Sequence, residues 1–312
     1  MWARLRQSEQ IVHEVAIEVD IVSAASPDAI DATTSASRLN EALTLDVASH
    51  WDRAADERVT VRWGGHVEEP MRSAWLGLGY VRKLAEDNFT LAASSMVGYD
   101  NFDAYGPFGD RPGLTSRKLA NANLSVSQVL SPTTIVDAAY GATVQAGTLE
   151  TTWNAARFDD GTFGNERLPN RRWRQAASVR LSQHVPRTRT TVKASYRYYR
   201  DTFDLDAHSV QLWLYQYLAR WMYVRAGLRL HDQSGASFYA DVHDEDAPGP
   251  RTSDSDLAPL TSTEWTLKLA LLGDRGPWRS LARTRLELSA GRYARSNDLT
   301  MTWGAVGMGY TF

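Results

Sequence analysis

The sequence predicts an all-β chain: a transmembrane, antiparallel, up-and-down β-barrel of about fourteen strands, with short periplasmic turns and long extracellular loops, forming one domain over residues 1–312. Three observations carry that prediction. Apolar and polar residues alternate with period two in segment after segment, the segments come in an even number, and their connections alternate between short and long. Residues 11–22 show the pattern: Ile11, Val15, Ile17, Val19 and Ile21 fall on one parity, and Glu14, Glu18 and Asp20 on the other. Residues 38–51 repeat it, with Leu39, Leu43, Leu45 and Val47 set against Asn40, Thr44, Asp46 and His50. No helix would keep those sets apart.

The remaining segments lie near 58–67, 72–83, 88–99, 118–130, 134–147, 172–184, 189–200, 207–218, 221–232, 261–273, 280–294 and 299–312. Most are close to the roughly 9–11 residues that a tilted strand needs to cross a bilayer. Short turns are expected at 52–57, 84–87, 131–133, 185–188, 219–220 and 273–278, and long loops near 23–37, 100–117, 148–171 and 233–260. The two kinds alternate, as periplasmic turns and extracellular loops do. No repeat of fixed period supports a propeller. Trp173, Trp265 and Tyr310 stand toward strand ends on the apolar parity, where aromatic girdles are expected.

Bulk composition narrows the alternatives. A mean hydropathy of -0.40 with no long apolar run rules out membrane-spanning helices, but polar lumen residues dilute a barrel's hydropathy in the same way. The 11 Trp and 13 Tyr exceed the 8 Phe, favouring rings with a polar edge that suit a membrane–water interface. Without cysteine there is no disulfide scaffold, thiol nucleophile or thiolate metal site. A net charge of -3 gives no basic field for nucleic acid.

The segment 299–312 ends in Phe312, an aromatic bearing the free carboxylate, and resembles the last strand of a Gram-negative outer-membrane barrel, whose terminal Phe is an assembly signal read by the insertion machinery. This implies the bacterial outer membrane, with its lipid and that machinery as partners, and a last strand that closes the barrel against residues 11–22. The first ten residues have no apolar stretch of signal-peptide length, so the chain is read as a mature form with a replaced start. Three further stretches, at 19–28, 196–209 and 229–239, resemble the bacterial outer-membrane family catalogued as domain of unknown function 3570. The match is imperfect where Phe203, Asp204 and Leu205 stand in place of the family's Trp-Gly-Ile. That resemblance implies no established activity, and at most an envelope partner linked to redox work.

If the apolar parity faces lipid, the other parity lines a lumen, for which about fourteen tilted strands give a backbone diameter of roughly 28 Å. The expected basic wall is Arg174, Arg180, Lys193, Arg197, Arg225, Arg229, Lys268, Arg283 and Arg285, and the expected acids are Glu14, Glu18, Asp20 and Asp46. Between them, Thr90, Ser94, Asn121, Asn123, Ser125, Gly141 and Thr143 make a small, neutral sector. Two readings stay open: a porin-like channel favouring anionic solutes, or charge ladders that stiffen a closed barrel serving as a membrane scaffold. No cofactor or metal is expected. Loop 241–256 gathers acidic oxygens and His243 but lacks the spacing of a calcium loop. The only catalytic constellation is Asp201, Asp204, Asp206, His208 and Ser209 at the rim, and adjacency along a strand sends neighbours to opposite faces. The chain therefore reads as no enzyme, with a barrel-borne surface enzyme as the alternative. His13, His50, His66, His184, His231 and His243 are scattered, and only His50 and His231 are candidate lumen ligands.

Overall fold

The computed structural model describes residues 1–22, 40–68, 71–104, 113–150, 154–245, 248–277 and 282–311. Phe312, loop 23–37 and most of the aromatic loop at 101–113 lie outside the described residues. Fifteen strands form one sheet: β1 (Trp2–Arg6), β2 (Ile11–Val22), β3 (Asn40–Ala54), β4 (Glu57–Glu68), β5 (Met71–Leu84), β6 (Phe89–Ala104), β7 (Gly113–Ser131), β8 (Thr134–Gly147), β11 (Arg171–Val185), β12 (Thr190–Asp201), β13 (Asp206–Ala219), β14 (Met222–Gln233), β15 (Leu260–Leu272), β16 (Thr284–Arg295) and β17 (Thr300–Tyr310). A separate hairpin, β9 (Ala155–Arg157) and β10 (Phe163–Asn165), lies between β8 and β11. Each of the fourteen predicted segments corresponds to one long strand, and every neighbour is antiparallel and sequential. β1 is additional. It pairs with Val12–Ala16, the edge of β2 on which the last strand was expected to close, and among the described residues no ladder joins β17 to β2.

The ladders keep the two parities apart across the whole sheet. The outward face carries Leu76, Leu78, Val97, Leu124, Val179, Val210, Leu267 and Leu288, each more than 40% exposed. So continuous an apolar band would aggregate in water and is compatible only with an apolar surrounding such as lipid. Trp173, Trp265 and Tyr310 belong to this face and are also exposed. Three register shifts, at Asp52/Ala54, Val129/Ser131 and Tyr217/Ala219, all sit at the short-turn end, where the extra residue lets a tight connection reverse the chain.

Most of the buried apolar residues gather at the opposite, long-loop end. Leu149, Phe203, Leu205, Ala207, Ala236 and Leu257 form one cluster with Leu168, Tyr199, Phe238 and Tyr239 packed on it. Isolated bridges tie the two long loops together, Phe158 to His243 and Arg167 to Arg251. The chain thus builds a small hydrophobic cap from segments far apart in sequence, while the sheet itself has little buried core. Two of the stretches that carry the family resemblance, 196–209 and 229–239, supply much of it.

Candidate functional site

One buried carboxylate gathers several segments of the cap. Asp201, whose side chain is fully buried, accepts hydrogen bonds at Oδ1 from the backbone N–H of Phe203 (2.8 Å) and Leu205 (3.3 Å). Its Oδ2 accepts from the Tyr199 hydroxyl at 2.7 Å, from Arg172 Nε at 2.8 Å and from Arg172 Nη2. The guanidinium of Arg172 lies 4.3 Å from the centre of the Phe203 ring, which in turn meets Phe238 edge-on at 4.9 Å. These contacts disperse the rim constellation, its neighbours falling on opposite faces as adjacency along a strand predicts. Asp201 is committed to the cap, His208 turns outward onto the Tyr196 hydroxyl (2.6 Å), and Ser209 turns inward to His231 Nδ1 (2.8 Å).

Loop 241–256 is likewise spent on its own folding. His243 Nε2 donates to the Thr252 carbonyl at 3.0 Å, Asp241 accepts from Tyr239, and Asp256 pairs with Arg295 at 2.9 Å. Burial and the hydrogen bond to Asp241 push the Tyr239 phenol up to about 12. Among the described residues no cluster of His, Asp or Glu has the form of a metal site. The other histidines meet hydroxyls across the ladder: His13 on Ser49, His50 on Thr60, His66 on Thr44 and His184 on Thr191.

The sheet curls far enough that Thr90 of β6 and Arg229 of β14 line one cavity of about 530 Å³. Arg180, Lys193 and Arg197 line the same space. Ladder partners share a face, and the register from β8 to β16 puts Arg174, Arg225, Lys268 and Arg285 on that inner face as well. Arg283 falls in the turn before β16, exposed and off the wall, because the strand begins at Thr284. Glu14, Glu18, Asp20 and Asp46 share the inner face at the other end of the sheet.

The structure sorts these charges into two groups. Acids across the ladder neutralise one group: Arg180 meets Asp137 at 3.0 Å, Lys268 and Arg285 both reach Glu287 at 2.5 Å, and Arg62 holds Asp46 at 2.7 Å. These pairs are partly exposed, so each contributes ~0–1 kcal/mol. In the other group, Arg174, Lys193, Arg197, Arg225 and Arg229 have no ion-pair partner among the described residues. Arg225 lies against the Trp213 ring at 4.5 Å, and Lys193 against Tyr215 at 5.4 Å. Glu264 is the ladder neighbour of Arg229, yet no ion pair forms between them.

Several inner-face charges escaped the sequence reading. The sector expected to be small and neutral also carries Asp100, Arg117 and Asp137, with Arg117 and Asp100 paired at 2.8 Å. Arg172 shares its parity with Arg174, so alternation alone could have found it. Tryptophan was read chiefly as interfacial, but several indoles share the inner face, and three of them stand opposite a glycine: Trp75 on Gly64, Trp213 on Gly227 and Trp303 on Gly291. A Cβ at Gly227 would stand 2.2 Å from Trp213 Cζ3, so the indole occupies the space that the glycine leaves.

Comparison with known proteins agrees with this architecture. The antiparallel sheet resembles the fold of solved outer-membrane β-barrels: the ferric enterobactin receptor of Pseudomonas aeruginosa superposes with a TM-score of 0.60 at 10% identity over 94% of this chain and 49% of that one. The siderophore receptor of Acinetobacter baumannii gives 0.61 at 10% identity (97% and 53%), and a copper transporter gives 0.60 at 12% (97% and 54%). The chain spans about half the length of the solved proteins it matches. No curated protein matches it. The family model described as "Protein of unknown function (DUF3570)" matches residues 15–271, and the chain belongs to that family.

Proposed function

We propose that the chain is a transmembrane barrel of the bacterial outer membrane whose inner face forms a path for anionic solutes. The exposed apolar band supports the membrane setting, since only lipid solvates that face. One observation carries the preference for anions: Lys193, Arg197, Arg225 and Arg229 stand together on β12 and β14 with no carboxylate ion-paired to them. Had charge ladders served only to stiffen the wall, these cations would be paired as Arg180 and Lys268 are. Successive inner-face rows on a strand lie ~6.7 Å apart, which is less than the ~8 Å over which physiological salt screens a charge, so the fields of neighbouring rows overlap. The paired cations contribute little to that field.

The test is the reversal potential of the purified full chain in planar bilayers under a potassium chloride gradient. Anion preference is expected, and changing Lys193, Arg197 and Arg229 to Gln should move the potential toward the cation side. No conductance, or cation preference in the unmodified protein, overturns the reading. A silent barrel would instead fit a membrane scaffold for an envelope partner.

A further inference from the structure

We propose that the inner wall of β12, β13 and β14 is a binding track for an acidic oligosaccharide, with sugar rings stacked on Trp213 and their carboxylates held by the flanking cations. The proposal rests on the anion-path reading and adds the chemistry of the solute.

The ladder register supplies the argument. Four successive inner rows are centred on β13 residues Tyr215, Trp213, Gln211 and Ser209, and each row holds one cation without an ion-pair partner. These cations alternate sides: Arg225 of β14 beside Tyr215, Lys193 of β12 beside Trp213, Arg229 of β14 beside Gln211, and Arg197 of β12 beside Ser209. Two cationic rails thus flank a central rail of rings, amide and hydroxyl, extending ~20 Å along the strands. Such regularity suits a linear chain with repeated negative charge.

The central rail decides the kind of chain. Gly227 lets the Trp213 indole lie against β14, and the ring also borders the cavity. The Arg225 guanidinium lies against that ring at 4.5 Å, and on binding it turns to the solute's carboxylate while the apolar C–H face of a pyranose takes its place on the indole. Gln211 and Ser209 continue the rail with groups that hydrogen-bond to sugar hydroxyls, and across the cavity Thr90, Ser125 and Ser127 present further hydroxyls. A bare polyphosphate would draw Arg225 and Lys193 off the rings they lie against and leave those rings and the hydroxyls without a partner. A neutral sugar would leave four cations unanswered. A solute with rings, hydroxyls and repeated negative charge uses the whole wall, and a carboxylate on each sugar supplies that charge in a form that the planar Arg fork binds through both oxygens.

The experiment measures binding to the refolded full chain by calorimetry and by block of the open channel. The probes are oligogalacturonate, a maltooligosaccharide of equal length, and tripolyphosphate. Oligogalacturonate should bind tightest, and Trp213→Ala and Arg229→Gln should each weaken it by about tenfold. Heat-modifiable migration on gels shows that each variant still folds. Equal binding of tripolyphosphate overturns the role of the rings, and equal binding of the maltooligosaccharide overturns that of the cations. Failure of oligogalacturonate to bind, with anion preference retained, overturns this inference alone; loss of anion preference in the unmodified protein strikes the reading beneath it.

Discussion

Removal of the Asp201 carboxylate should open the cap and leave the sheet standing. The side chain accepts from Arg172, Tyr199 and two backbone N–H groups, and it is fully buried, with Arg172 only 12% exposed. Asp201→Ala would leave a buried guanidinium against the Phe203 ring with no counter-charge. Breaking a buried pair by deleting one partner costs about 3–5 kcal/mol, and each orphaned N–H adds about 1–3 kcal/mol if it stays dry. Against this, Leu149, Phe203, Leu205 and Leu257 contribute about 1.5–3 kcal/mol each from burial. The loss is thus a large part of what closes the cap, and none of what pairs the strands. Limited trypsin digestion in detergent reads it directly, because Arg157, Arg167 and Arg251 lie in the cap. Asp201→Ala should be cut there well before the unmodified protein, with unchanged heat-modifiable migration. Pairing Arg172→Met with Asp201→Asn should be milder than Asp201→Asn alone, since the stranded charge is gone. Equal digestion of Asp201→Ala and the unmodified protein would refute the argument.

Three other predictions follow from single contacts. Gly227→Ala should displace the Trp213 indole, since a Cβ there meets the ring at 2.2 Å; the expected cost is about 1–3 kcal/mol in urea unfolding, together with weaker oligogalacturonate block. Glu287→Gln should free both Lys268 and Arg285 and raise anion preference in the reversal potential, while costing only about 1 kcal/mol of stability. Tyr239 should ionise near 12 rather than 10, visible as the difference in phenolate absorbance between the unmodified protein and Tyr239→Phe. Its folded value is raised, so its contribution to cap stability is complete below pH ~10 and is lost between pH ~10 and about 12.

Much of the fold was legible because a strand's period is local. Alternation in 207–218 places Leu212 and Leu214 outward from neighbouring residues alone, and by the same rule places Trp213 inward. That signal was available and was masked by the general preference of tryptophan for membrane interfaces. β1 was missed because five residues, with Trp2 and Leu5 among charges, make too short a pattern to register.

The sequence by itself located fourteen of the fifteen strands of the main sheet, their antiparallel succession and the apolar parity of each. Each depends only on parity and on the lengths between strands. Tertiary structure alone decided which charges stay unpaired. Arg180 is neutralised because the register of β8 against β11 sets Asp137 beside it, whereas Arg229 stands beside Glu264 without an ion pair. It also decided that Asp201 anchors the cap, since its environment comes from Arg172 and Phe238, distant in sequence and brought together only when the loops fold. Period-two alternation gives a side chain's face from its own strand, but its partner depends on how distant strands align and distant loops pack, and that is a property of the assembled sheet.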